Sequence, residues 1–125
     1  MKDFRDLDVW SKAHQATLDI YRATSDFPKE ELYGLTSQMR RSCASVPANI
    51  AEGCGRRGNG EFHKFLQIAM GSASELEYHL LLSHDLGFIE VKRFQTLTSQ
   101  VQEIKKMLAS LIRRVDAERT RLVAP

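Results

Sequence analysis

The sequence is poor in the features that mark membrane, secreted or disulfide-linked proteins. It contains two cysteines, three prolines and one tryptophan among its 125 residues. No run of ~20 apolar residues could cross a bilayer, and the opening MKDFRDLDVW lacks the apolar core of a secretory signal. We therefore expect a cytoplasmic protein without membrane contact.

The two cysteines are too far apart to form a disulfide if they share a helix. Cys43 and Cys54 would then be separated by roughly 16 Å, whereas a disulfide requires Cα atoms within about 7 Å. We expect both to be small apolar core residues. The alternative, a redox or catalytic thiol, is weakened because neither cysteine has a histidine near it in the sequence.

Charge of either sign is not in large excess. The 18 Lys and Arg against 16 Asp and Glu give a net charge of +2, which by itself does not predict nucleic-acid binding. The arginines are nevertheless clustered, and the second cluster is interleaved with acids and lacks aromatic residues for base stacking. The clusters are Arg40, Arg41, Arg56, Arg57 and Arg113, Arg114, Arg119, Arg121.

Every long segment has helical rather than strand periodicity. We predict helices at about 7–24, 35–55, 60–86 and 91–119, joined by short connections within one domain spanning 1–125. This pattern predicts an all-α, up-down-up-down antiparallel four-helix bundle. Pro47 lies inside helix two and should kink it, with the freed backbone groups bonded to Ser42 or Ser45 hydroxyls or to water.

Three of the helices carry more apolar lines than a four-helix bundle needs. In helix one we assign the inward face to Leu7, Trp10, His14, Thr17, Leu18 and Tyr21, which leaves a second apolar line almost opposite. Because monomers seldom expose large apolar patches, we expect a homo-oligomer; the alternative is wider burial in one compact bundle. The predicted oligomer interface comprises Val9, Ala13, Ile20, Ala44, Ala51, Ile68, Tyr78 and Leu82.

Helix two also carries a polar stripe and basic residues. The stripe predicts a bonded network that fixes helix register or a subunit contact, with nucleic-acid contact as the alternative; its residues are Gln38, Arg41, Ser45, Asn49 and Glu52. A basic rim repeated around a ring could bind phosphates, although charges at helix ends are often only solvated. The rim residues are Arg40, Arg41, Arg56, Arg57 and Lys64.

No combination of residues predicts an enzyme, a metal site or a cofactor. His79 and His84 are five positions apart, whereas metal ligands on one helix face are three or four apart. Glu75 and His79 have suitable spacing, but two ligands are too few for a site. The expected function is therefore non-enzymatic.

The sequence resembles the four helix bundle protein family, which includes proteins encoded by intervening sequences in bacterial 23S ribosomal RNA genes. The resemblance extends over nearly the whole chain, and its most specific part is the segment 47–53, Pro-Ala-Asn-Ile-Ala-Glu-Gly. Other matching segments are 7–10, 27–28, 31–35, 38–41, 69–77 and 86–89. The resemblance implies a left-handed four-helix bundle assembled into a ring, a pentamer.

The resemblance also implies possible partners. A protein of similar fold, the accessory subunit of diversity-generating retroelements, binds a reverse transcriptase and nucleic acid through basic surfaces. We therefore expect a homo-oligomeric bundle associated with RNA or DNA. The alternative is a protein-binding scaffold or adaptor, for example for a reverse transcriptase, without nucleic-acid contact of its own.

Overall fold

The fold consists of four long helices. The structure, a computed structural model, describes the backbone of residues 3–123 and the side chains of residues 3–120, so the side chain of Arg121 and the ends of the predicted domain lie outside the described residues. The helices are α1 (Asp8–Thr24), α2 (Leu35–Gly55), α3 (Gly58–Asp85) and α4 (Val91–Val123). Compared with the predicted bounds, α3 begins before Gly60 and α4 continues beyond Arg119.

Each helix packs against two neighbours around a closed bundle. α1 contacts α2, α2 contacts α3, α3 contacts α4, and α4 returns to α1, while no diagonal pair makes backbone contacts within the described residues. Only two residues join α2 to α3 and five join α3 to α4, so consecutive helices are antiparallel. The prediction of an all-α four-helix bundle is therefore confirmed.

The fully buried face of α1 is the second apolar line and not the predicted inward face. Its residues alternate in steps of four and three: Val9, Ala13, Ala16, Ile20 and Ala23. Of the side chains predicted to lie inward, His14, Leu18 and Tyr21 are exposed, whereas Leu7, Trp10 and Thr17 are half-buried, and Leu7 and Trp10 pack against the core. Both lines alternate in steps of three and four, so spacing does not distinguish them; the small side chains of the buried line let α1 approach its neighbours closely.

This reversal overturns part of the predicted oligomer interface. Val9, Ala13 and Ile20 are at most 4% exposed within the single chain, so they cannot contact another copy while the bundle is intact. Their apolar line is the core line of α1. The alternative of wider burial within one bundle is correct for these three residues.

α2 runs continuously through Pro47. Proline has no N–H, so the carbonyl of Cys43, one turn earlier, loses its usual donor. The Thr17 hydroxyl of α1 lies 3.1 Å from that carbonyl and 2.8 Å from the Ala13 carbonyl, and can donate to either. The predicted serines have other partners, because Ser42 bonds Met39 and Ser45 bonds Ser72. The bend at Pro47 stays a prediction.

A glycine ends α3. Gly87 has φ of 78°, and its N–H bonds the His84 carbonyl while the Phe88 N–H bonds the Ser83 carbonyl at 2.9 Å. This pair of hydrogen bonds is the Schellman arrangement that closes a helix C-terminus. The chain then returns over the bundle, where Phe88 packs against Phe27 with ring centroids 5.7 Å apart.

Candidate nucleic-acid interface

The five predicted phosphate-binding residues fall into two separate places. Arg40 and Arg56 are sixteen positions apart on α2, which corresponds to ~24 Å along the helix axis. Arg40 and Arg41 lie beside α1, whereas Arg56, Arg57 and the nearby Lys64 lie where α2 ends and α3 begins. The two places cannot act as one compact patch, and each is described in turn.

At the α2–α3 end, Arg56 is already paired. Its Nη2 lies 2.6 Å from Glu52 Oε2, and this hydrogen bond raises the pKa of Arg56. The guanidinium also lies over the Phe65 ring, 5.1 Å from its centroid. Arg56 therefore contributes less free positive charge than the sequence suggests.

Arg57 and Lys64 remain available at the same end. Arg57 immediately precedes α3 in an extended conformation, and Lys64 lies about two turns into the helix. Both are exposed, and neither forms an ion pair in the part of the chain that the structure describes. Lys64 Nζ lies 5.7 Å from the Phe65 ring centroid, a contact that leaves its charge available to a phosphate.

The C-terminal part of α4 brings acids to this end. Asn59 donates to Glu118 at 3.0 Å, and His63 Nε2 lies 3.0 Å from Asp116 Oδ1. Asn59 lies in the first turn of α3 and links it to α4 through its bond to Glu118. These acids partly offset the basic charge.

Arg40 and Arg41 border a groove between α1 and α2, which we call the α1–α2 groove. It has a volume of about 570 Å³, and its walls include Tyr21, Leu32, Tyr33, Arg40, Arg41, Ala44 and Ala48. Arg40 is held in place, since its Nε donates to Thr24 Oγ1 at 2.9 Å and its guanidinium lies 4.9 Å from the Tyr21 ring centroid. Arg41 is exposed and has no bonded partner among the described residues.

The predicted polar stripe forms only a short network. The Ser45 hydroxyl lies 2.8 Å from the Ser72 hydroxyl of α3, and Asn49 Nδ2 donates to the Ser45 carbonyl at 2.8 Å and to its hydroxyl at 2.9 Å. Glu52 is paired separately with Arg56. No hydrogen bond joins Gln38 or Arg41 side chains to this network in residues 3–120, so its bonded members connect α2 to α3.

The other predicted interface residues lie on or near the surface. Tyr78 is 59% exposed, and Ile68 and the neighbouring Leu81 are also exposed on α3. Ala44, Ala51 and Leu82 are half-buried. Tyr78 and Leu81 lie one turn apart and border a recess with Phe94, whereas Leu82 packs against the core.

One buried cluster has the residue types of a catalytic triad. Ser42 Oγ lies 3.4 Å from His79 Nδ1, and His79 Nε2 lies 3.7 Å from Glu75 Oε2. Ser42 is only 4% exposed, its hydroxyl is within hydrogen-bonding distance of the Met39 carbonyl, and burial lowers the pKa of His79. A substrate could not reach the serine, so the geometry is that of a packed polar cluster.

The neighbouring thiol is also unsuited to nucleophilic chemistry. Cys43 is buried, and desolvation raises its pKa to about 12. Because the thiolate is the reactive form, this thiol stays protonated and unreactive near neutral pH. The expectation that Cys43 is a core residue agrees with its burial.

Comparison with known proteins places this arrangement in a family. Residues 5–110 match the family of 23S rRNA-intervening sequence proteins. The chain belongs to this family. No curated protein matches it. None of the helices in residues 3–123 is both long and apolar enough to span a membrane.

A solved structure of similar fold also has no assigned function. It is a protein of the S23 ribosomal protein family from Bacteroides thetaiotaomicron VPI-5482, described as having unknown function. The two chains superpose with a TM-score of 0.76 at 27% sequence identity, covering 83% of this chain and 97% of that chain. The likeness therefore supports the bundle fold and the family, but it does not indicate a function, which has to be inferred from the surface residues.

Sequence reasoning missed the two tyrosines beside Arg40 and Arg41. Tyr21, predicted to lie in the core, is exposed, and the spacing of the apolar residues could not show this because both lines of α1 alternate in steps of three and four. Tyr33 is 93% exposed in the connection just before α2. Tyr33 lies between Pro28 and Gly34, outside any predicted long helix, and this position was the feature of the sequence that could have indicated its exposure.

Proposed function

We propose that the protein is a non-enzymatic, homo-oligomeric helical bundle of the cytoplasm that associates with nucleic acid. The observation that supports nucleic-acid association is the set of exposed cations Arg41, Arg57 and Lys64, none of which forms an ion pair among residues 3–120. Phosphate oxygens are suitable partners, since arginine can bond them through two N–H groups and lysine acts as a point charge. The name of the family links its members to 23S rRNA, which makes RNA the first nucleic acid to test.

Self-association is proposed through the outward face of α3. Ile68, Tyr78 and Leu81 are exposed apolar residues of α3 that a second copy could cover. A closed ring would repeat Arg57 and Lys64 once per subunit, which multiplies a modest local charge. Resemblance to the family suggests five copies.

The nucleic-acid proposal is tested by titrating a labelled 23S rRNA fragment at low and moderate salt. The Arg57→Ala/Lys64→Ala variant should bind more weakly, and the slope of log affinity against log salt should fall by about one per phosphate contact removed. A matched control removes two exposed lysines of α4, Lys92 and Lys106. Absence of binding at either salt, or equal losses in the two variants, would refute this assignment.

The oligomer proposal is tested by light scattering. The chain mass is 14.2 kDa, and the wild type should scatter as a multiple of it. Tyr78→Ser should shift the population toward single chains, whereas Leu86→Ser, at another exposed apolar residue, should not. A stable single-chain species of the wild type at micromolar concentration would contradict the proposal.

A protein-binding scaffold is the second candidate. The observation that favours it is a cavity of about 380 Å³ between α3 and α4, lined by Tyr78, Leu81 and Phe94, because apolar recesses suit protein side chains. This function predicts specific capture of one protein partner, such as a reverse transcriptase, together with no affinity for RNA. Both results together would replace the nucleic-acid proposal.

A further inference from the structure

We propose that the α1–α2 groove binds single-stranded nucleic acid, with Tyr33 and Tyr21 stacking on bases and Arg41 contacting phosphate. This inference rests on the proposed nucleic-acid association and adds the binding site and the strandedness of the ligand. It differs from the basic-rim hypothesis, in which Arg40 and Arg41 act together with the distant arginines at the end of α2.

The two tyrosines offer aromatic surface to a ligand. Tyr33 is 93% exposed and Tyr21 is 43% exposed, and both border the same groove. The Arg40 guanidinium lies 4.9 Å from the Tyr21 ring centroid, and its bond to Thr24 holds it there. Exposed aromatic rings beside arginine are the usual platform for unpaired bases, because every base has a face that can stack.

The charge of the groove suits a polyanion. Arg40 and Arg41 are among its lining residues, and no carboxylate is. Glu31, in the adjoining turn, accepts from the Leu35 N–H through Oε1 at 3.2 Å and keeps its negative charge outside the groove lining. Arg41 has no bonded partner among the described residues and can bond phosphate, while Arg40 adds positive charge from a fixed position.

The remaining walls are compatible with a nucleic-acid backbone. Ala44 and Ala48 have short side chains, so they leave room for a strand to approach α2. The half-buried Ser37 also lines the groove, and its hydroxyl could bond a base edge or a ribose hydroxyl. The groove therefore combines stacking, charge and hydrogen-bonding groups.

Single strands are favoured over duplexes for a geometric reason. In a duplex the base faces are covered by neighbouring bases, so an aromatic side chain cannot stack on them without unpairing the helix. Tyr33 would then contribute nothing, and only the charge of Arg41 would act. Dependence on Tyr33 should consequently be specific to single strands.

The test compares a labelled oligouridylate of about 12 nucleotides, within the usual site size of single-strand binders, with a blunt-ended RNA duplex of about 12 base pairs, whose bases are all paired. Tyr33→Ala should weaken oligouridylate binding at least about 5-fold, the lower end of one stacked base, without changing duplex binding. Tyr33→Trp should retain affinity. The matched control is Leu86→Ala, which removes an exposed apolar side chain outside the groove and outside the proposed subunit face.

The outcomes separate this inference from the proposed function. If the wild type binds RNA but Tyr33→Ala binds oligouridylate equally well, the groove is not the site and nucleic-acid association still stands. If the wild type binds neither probe, both proposals are refuted. If Tyr33→Ala instead converts an oligomer to single chains in light scattering, a second copy occupies the groove and the single-strand site is refuted.

Discussion

Gly53 of α2 packs against two phenylalanines of α3, and its replacement gives a sharp test of this packing. A Cβ atom added to Gly53 would lie 3.0 Å from Phe62 Cδ1 and 3.0 Å from Phe65 Cβ. Both phenylalanines are buried. The Phe65 Cβ is attached directly to the backbone, so no rotation of that side chain can relieve the contact.

Two opposing effects determine how Gly53→Ala changes the free energy of unfolding. Alanine in a helix interior is more favourable than glycine by ~0.5–1 kcal/mol, whereas inserting a carbon into a packed core costs ~1–3 kcal/mol. Gly53→Ala should therefore lower the free energy of unfolding by up to ~2 kcal/mol. At Gly71 an added Cβ would meet nothing within 4 Å, so Gly71→Ala should raise that free energy by ~0.5–1 kcal/mol.

Urea unfolding followed by circular dichroism measures both variants. Because Gly71 lies on the proposed subunit face, each variant is measured at two protein concentrations to separate folding from association. The free energy of unfolding should be highest for Gly71→Ala, intermediate for the wild type and lowest for Gly53→Ala. Equal stability of the two variants would show that α2 and α3 have room for the methyl group, and would refute the close packing at Gly53.

Two further substitutions test buried hydrogen-bonding groups. Thr17→Val should lower the free energy of unfolding by ~1–3 kcal/mol because it leaves the Cys43 carbonyl without its donor. Thr17→Ser keeps the hydroxyl and should retain most of the stability. Equal urea midpoints for these two variants would contradict the role of the hydroxyl. Burial beside Ser42 lowers the pKa of His79, despite the opposing effect of Glu75, so the unfolded chain binds that proton more readily. The free energy of unfolding of the wild type should therefore be highest above about pH 6.5 and should decrease as the pH falls below that value. The His79→Gln variant should lack this decrease. If the free energies of unfolding of the two proteins change with pH in parallel, the role of His79 is contradicted.

The sequence predicts the faces of α2, α3 and α4 well because each has one clearly dominant apolar line. Met39, Leu66 and Leu108, which lie on these lines, are all fully buried. In α1 two lines compete, and the larger side chains are on the line that is not fully buried: Trp10 is half-buried against the core and Tyr21 is exposed. Side-chain size alone cannot decide between them, because the close approach of neighbouring helices favours the line that contains alanine.

The candidate binding residues were less predictable than the core. Clustering along the sequence grouped Arg40 with Arg56, yet an α-helix rises ~1.5 Å per residue and separates them. Conversely, Tyr21 and Arg40 are distant in sequence, and the packing of α1 on α2 brings them together. Such contacts between helices carry no local sequence pattern, which is why the α1–α2 groove emerged only from the structure.

The segment 47–53 carries the most specific part of the family resemblance, and its bonded partners are within the chain. Pro47 places the Cys43 carbonyl opposite the Thr17 hydroxyl. Asn49 bonds Ser45, which in turn bonds Ser72 of α3. The two polar features of this segment thus connect α2 to both of its neighbours.

The rest of the segment is also accounted for by packing and pairing. Ile50 is fully buried, Glu52 holds Arg56 at 2.6 Å, and Gly53 allows Phe62 and Phe65 to approach α2. The residues that carry the resemblance are therefore explained by packing within the bundle, and they do not indicate what the protein binds. The function therefore depends on exposed residues that do not stabilise the bundle. Tyr33 is such a residue, because its ring makes almost no contact with the rest of the chain. Its replacement should change binding without changing the stability of the fold.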